Sequence, residues 1–288
     1  MTAQPRWQTL LFAAIVTLAI MTAVATDVDL TLQILILAPL LFVFGLPHGA
    51  LDLPIAEVLW PLDGWRGKLR FALWYLSLAA LVIGLWLAAP GLALMAFLAY
   101  SALHFADDWQ DAPAPLRWTG GLATLGAPAL CHRGEVAELF GHLAPAPAAG
   151  LAADTLAIAG AAALLALIAA LAVAQHLRGR AAFEQLLLWA AALMLQPLVY
   201  FMVYFCALHA VRHFTSAIET IERRRPAVIM AAGLSAFVIT AAVLAAFYLQ
   251  ATRLVGLDET ILQVVFIGLA ALTVPHMILV DRFHRRQA

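Results

Sequence analysis

The chain has 288 residues, of which 65% are hydrophobic and only 11% charged, and its formal net charge is -1. Soluble domains carry about 45–50% apolar and about 25% charged residues, so the composition argues against a soluble enzyme, a disordered chain or a secreted disulfide scaffold. A near-neutral chain also offers no basic footprint for nucleic acid.

A helix crosses the hydrocarbon with about 20 predominantly apolar residues. Nine runs approach that pattern, at residues 7–25, 30–47, 69–88, 92–105, 116–130, 151–174, 183–209, 227–249 and 261–280. The fifth is short and interrupted by Gly120, Gly121, Gly126 and Pro128, which makes it the weakest span. Pro197 marks a kink in the seventh. The polar connector between the fifth and sixth holds a short interfacial helix near 135–143. The expected fold is all-α: a polytopic helical membrane bundle of about 8–10 hydrophobic segments, one of them kinked or half-crossing, forming a single transmembrane domain over residues 1–288.

Basic loop residues set orientation. Arg66, Lys68 and Arg70, then Arg223, Arg224 and Arg225, then Arg282, Arg285 and Arg286 form three basic segments expected on the cytoplasmic side of the plasma (inner) membrane, with both termini. Nine full crossings do not allow this. Either one run between 110 and 210 crosses only halfway, or the stretch 183–222 breaks into two elements.

Nine histidines stand out in a chain with 16 basic and 17 acidic residues, because an ionisable ring in a bilayer is costly and usually functional. Three segments place polar residues four apart, on one helix face: His48 and Asp52, His104 and Asp108, His209 and His213. Each lies at the C-terminal end of a predicted span, so the rings converge only if those ends share one membrane side. That is the parity the arginines demand. His276 falls near the same level. A His–His pair on one face can bind a metal, and a carboxylate can orient a ligand from behind. His132, His142, His176 and His284 read as solvated or headgroup positions. Arg212 either pairs with an aspartate (Asp52, Asp107 or Asp108) or snorkels to the interface. Tyr200, Phe201, Tyr204 and Phe205 form an aromatic band before His209; with Phe105 they suit packing or the wall of a tunnel for a long apolar ligand. Cys131 and Cys206 lack metal or disulfide spacing. Imidazole ligands suit zinc, copper, iron and nickel alike, so ligand type leaves iron and zinc both open.

The segments Gly45-Leu46-Pro47-His48-Gly49-Ala50-Leu51-Asp52, His104-Phe105-Ala106-Asp107-Asp108 and His209-Ala210-Val211-Arg212-His213, with Pro275-His276-Met277 behind them, resemble the Brp/Blh family of bacterial and archaeal membrane β-carotene 15,15′-dioxygenases. The resemblance implies an iron-dependent oxidoreductase that uses dioxygen to cleave the central double bond of β-carotene into two all-trans-retinal molecules, which serve a microbial rhodopsin. It implies Fe(II) on His48, His104, His209 and His213, with His276 as a further ligand or neighbour and Asp52 and Asp108 as supports. The rivals are another membrane metalloenzyme acting on a lipid, such as a hydroxylase or desaturase, and a metal-ion transporter. The first would need more histidines for two metals, and the second a polar path that the apolar spans do not offer.

Overall fold

A computed structural model describes residues 5–26, 29–40, 51–220 and 256–287, together with isolated positions between 226 and 243. His48 and most of the predicted eighth span lie outside the described residues. Among the described residues the chain is helical and contains no strand, an all-α polytopic membrane bundle. The helices are α1 (Arg6–Ala25), α2 (Leu30–Leu40), α3 (Asp52–Leu59), α4 (Gly64–Ala88), α5 (Pro90–Phe105), α6 (Ala114–Cys131), α7 (Arg133–Gly141), α8 (Ala146–Val173), α9 (Arg180–Met194), α10 (Pro197–Tyr204), α11 (Ala210–Thr220) and α12 (Leu257–Gln287). Five described stretches are long and apolar enough to cross a membrane: Arg6–Ala25, Gly64–Ala88, Ala146–Val173, Pro197–Glu219 and Glu259–Arg282.

Proline sets the punctuation. Pro90, Pro115, Pro147 and Pro197 all stand in the first turn of a helix, where the missing N–H costs nothing and the fixed φ favours helix. The seventh predicted run therefore breaks in two rather than kinking. Leu195 and Gln196 are extended before Pro197, as the residue before a proline prefers. The Gln33 amide of α2 donates to the Gln196 side chain at 2.7 Å across this break. Within the stretch 183–222 the structure thus contains a break.

The chain divides into two compact units. The first comprises residues 1–37 and 94–212. Here α6 runs unbroken through Gly120, Gly121, Gly126 and Pro128, contrary to the expected interruption. The glycines serve close packing instead. A Cβ on Gly126 would sit 2.5 Å from the backbone nitrogen of Gly160 in α8, and one on Gly121 would sit 2.5 Å from the carbonyl oxygen of Ala102 in α5. Gly120 leaves room for the indole of Trp109. Lipid tails are as apolar as leucine, so helices in a membrane gain from close backbone approach rather than from burial. Gly160→Ala is expected to push α6 from α8 and cost about 1–3 kcal/mol, read as a lower unfolding midpoint in detergent; an unchanged midpoint would contradict the contact.

Helix α1 buries Gln8, Thr9, Phe12 and Val16 on one stripe, the spacing of a single helix face, and packs on α9. Its Leu10, Leu18, Met21 and Val24 are exposed, a surface suited to lipid. His132, expected to be solvated, is half-buried and bonds the Ala192 carbonyl in the last turn of α9 at 3.0 Å.

The second unit comprises residues 38–93 and 213–288. Helix α12 packs along α4 and α3. Leu279 joins Ile55, Ala56 and Leu59 in its core. Pro275 sits inside α12 and opens its hydrogen-bond ladder. The Tyr75 hydroxyl of α4 donates to the Leu272 carbonyl at 2.9 Å, less than one turn before that proline.

Candidate metal centre

In the first unit the chain leaves α5 through a single tight turn, Ala106–Trp109, which carries Asp108 off the helical face it would share with His104. The Asp108 side chain is buried, 2% exposed. It accepts the Tyr204 hydroxyl, and His209 Nδ1 lies 3.2 and 3.3 Å from its two oxygens. An ionised carboxylate only accepts, so in this contact Nδ1 is the donor.

Tyr204 and His209 are five residues apart. On a regular helix they would point about 140° away from each other. Between them Phe205–His209 winds as a π-turn, whose i→i+5 bonding lines up residues five apart. The widened turn is what lets both side chains reach one carboxylate.

Around His209 the rings are close. His104 lies edge-on with centroids 5.1 Å apart, Phe105 at 5.0 Å and Phe205 at 5.3 Å. Phe105 also meets Tyr204 edge-on at 5.3 Å. His104 and His209 are both buried. Tyr200 is used differently: its hydroxyl donates to the Thr124 carbonyl of α6 at 3.1 Å, a packing contact.

Arg212 does not snorkel. It is 5% exposed, donating through Nη1 to the Asp108 carbonyl oxygen at 2.6 Å and through Nη2 to Glu184 at 2.7 Å. Glu184, on α9 and 1% exposed, also takes Arg180 Nε at 3.0 Å and the Thr9 hydroxyl. Sequence reasoning passed over Glu184. Its one signal was an isolated carboxylate in an apolar run.

In the second unit Asp52 stands in the first turn of α3, and its Oδ1 lies 2.6 Å from His276 Nδ1. Both residues are buried. The His213 and His276 rings stand 6.3 Å apart.

Each unit thus holds a buried histidine whose Nδ1 faces a carboxylate, His209 on Asp108 and His276 on Asp52. That is the arrangement in which a metal-binding imidazole is oriented, and made more basic, by its partner. Imidazoles oriented in this way fit a divalent transition metal.

Residues 39–284 match the family described as Beta-carotene 15,15'-dioxygenase. A protein named Beta-carotene 15,15'-dioxygenase from Uncultured marine bacterium 66A03 is 34% identical over 260 residues, covering 84% of this chain and 90% of its own length. No solved structure matches the chain.

Proposed function

The chain belongs to the beta-carotene 15,15'-dioxygenase family, and from that premise we propose that it cleaves β-carotene at the central 15,15′ double bond with dioxygen, at a histidine-bound iron(II). The observation that carries the reading is the pair of buried, carboxylate-oriented histidines, His209 on Asp108 and His276 on Asp52, in a chain of this family. The reaction balances without a reductant: one C=C bond and the O–O bond break, two C=O bonds form, and both oxygen atoms end in two retinal molecules.

In this reading His48, His104, His209 and His213 hold the iron, and His276 is a further ligand or a close neighbour. Iron(II), when bound, supplies the means to activate dioxygen toward the electron-rich polyene. The protein supplies the rest. Asp108 holds His209 with its proton on Nδ1 and its ring in one orientation. Phe105 and Phe205 crowd His209 with apolar rings, which keeps water away and offers a surface to a hydrocarbon. Regioselectivity comes from holding the polyene in one register, since neighbouring double bonds are chemically alike. β-Carotene dissolves in lipid and is about as long as the hydrocarbon core is thick, so a membrane enzyme takes it directly from the bilayer.

Expression in β-carotene-producing cells tests the proposal. The cells should lose their colour and accumulate retinal. Unchanged carotenoid alongside abundant protein in the membrane would overturn it.

A further inference from the structure

We propose that Glu184 and Arg212 are positioning residues for the metal centre, acting on His209 through Asp108. The inference rests on the reading that His209 holds iron, and concerns residues that touch neither metal nor substrate.

The path lies wholly within the first unit. Glu184 of α9 receives three donors, from Thr9 on α1, Arg180 on its own helix and Arg212 on α11. Arg212 uses the two ends of its guanidinium on two different elements. One binds Glu184 at 2.7 Å, the other the backbone carbonyl of Asp108 at 2.6 Å. Asp108 in turn faces His209 Nδ1. The planar fork thereby ties the tight turn carrying Asp108 to the helix that continues from His209. Asp108 is anchored at both ends, with its carbonyl on Arg212 and its carboxylate on Tyr204 and His209.

Two features argue that this is more than glue. Burying two carboxylates and the Arg212 guanidinium costs several kcal/mol of desolvation per ion, and well-packed apolar residues of similar size are often at least as stable. The arrangement also depends on arginine in particular. A lysine carries one compact ammonium on a flexible stem and cannot span two acceptors with a rigid plane. A buried ionic path that ends on the carboxylate behind a metal-binding imidazole is suited to fixing that imidazole's position.

The test uses the full chain purified in detergent. Iron(II) affinity is measured by competition with a chromogenic ferrous chelator, and the visible ligand-field band is recorded after cobalt(II) substitution. Arg212→Lys and Glu184→Gln are each expected to weaken iron(II) binding about 10–100-fold, as loss of an outer partner does. Each should shift the cobalt band and lower kcat more than it raises KM. Acting along one path, the double variant should lose little more than the worse single. Glu184→Gln keeps the shape and an acceptor oxygen for Arg212, so it remains informative if Arg212→Lys does not accumulate. Iron affinity within twofold of the parent and an unchanged cobalt band, with only the unfolding midpoint lowered, would reduce the network to scaffolding and overturn the inference. Additive losses in the double variant would overturn it as well. His209→Ala separates the two levels. If that variant keeps its iron, the reading of the site fails; if it loses iron while both network variants bind normally, only this inference fails.

Discussion

His209→Ala is expected to remove bound iron and carotene cleavage together. The parent should carry about one iron per chain, and the variant almost none. His209 is buried, 1% exposed, and its Nδ1 faces Asp108, so the ring is already held in one tautomer and one orientation. Alanine removes that donor nitrogen and leaves His104 as the neighbouring imidazole, beside a carboxylate, a tyrosine hydroxyl and apolar rings. Several kcal/mol of metal-derived transition-state stabilisation then vanish, on the order of 10³ or more in rate. Metal analysis and cleavage assays on one preparation check this. A variant that keeps both iron and activity would remove His209 from the site.

Asp108→Asn has the second largest expected effect. The change is nearly isosteric, so it leaves packing alone and alters only the pattern of donors and acceptors. Asparagine offers one oxygen where the carboxylate offers two, yet both the Tyr204 hydroxyl and His209 Nδ1 need an acceptor. If the amide nitrogen faces His209, the ring proton moves to Nε2 and the lone pair points at the amide rather than toward a metal. Iron(II) affinity should fall about 10–100-fold, with kcat falling in step. An asparagine variant with the parent's affinity would mean that the aspartate does not set the tautomer.

How much of this the sequence discloses depends on the range of the interaction. The helices follow from long apolar runs, and their starts from Pro90, Pro115, Pro147 and Pro197. The run 183–209 reads as one kinked helix, whereas the extended residues Leu195 and Gln196 break it before Pro197. The glycines of α6 were misread because spacing alone cannot separate a glycine that interrupts a helix from one that admits a neighbour. Only the approach of Gly160 to Gly126 tells them apart.

The site divides along the same line. Spacing of four singles out the histidines and their aspartates, but it ties each aspartate to the histidine on its own segment. In the folded chain the carboxylate of Asp52 meets His276, 224 positions away, and that of Asp108 meets His209, 101 positions away. Two local departures from the regular helix produce the second pairing: the tight turn at Ala106–Trp109 and the π-turn at Phe205–His209. Neither has a periodicity that an apolar sequence reveals. Glu184 was legible only as an oddity, since its meaning lies in Arg212, which follows it by 28 positions and two helix boundaries.

The most direct test of the account is product analysis with purified, iron(II)-loaded protein and β-carotene under oxygen. The account predicts retinal as the sole product, two molecules for each carotene consumed. Apocarotenals of unequal length, or carotene untouched by protein that holds its iron, would contradict it.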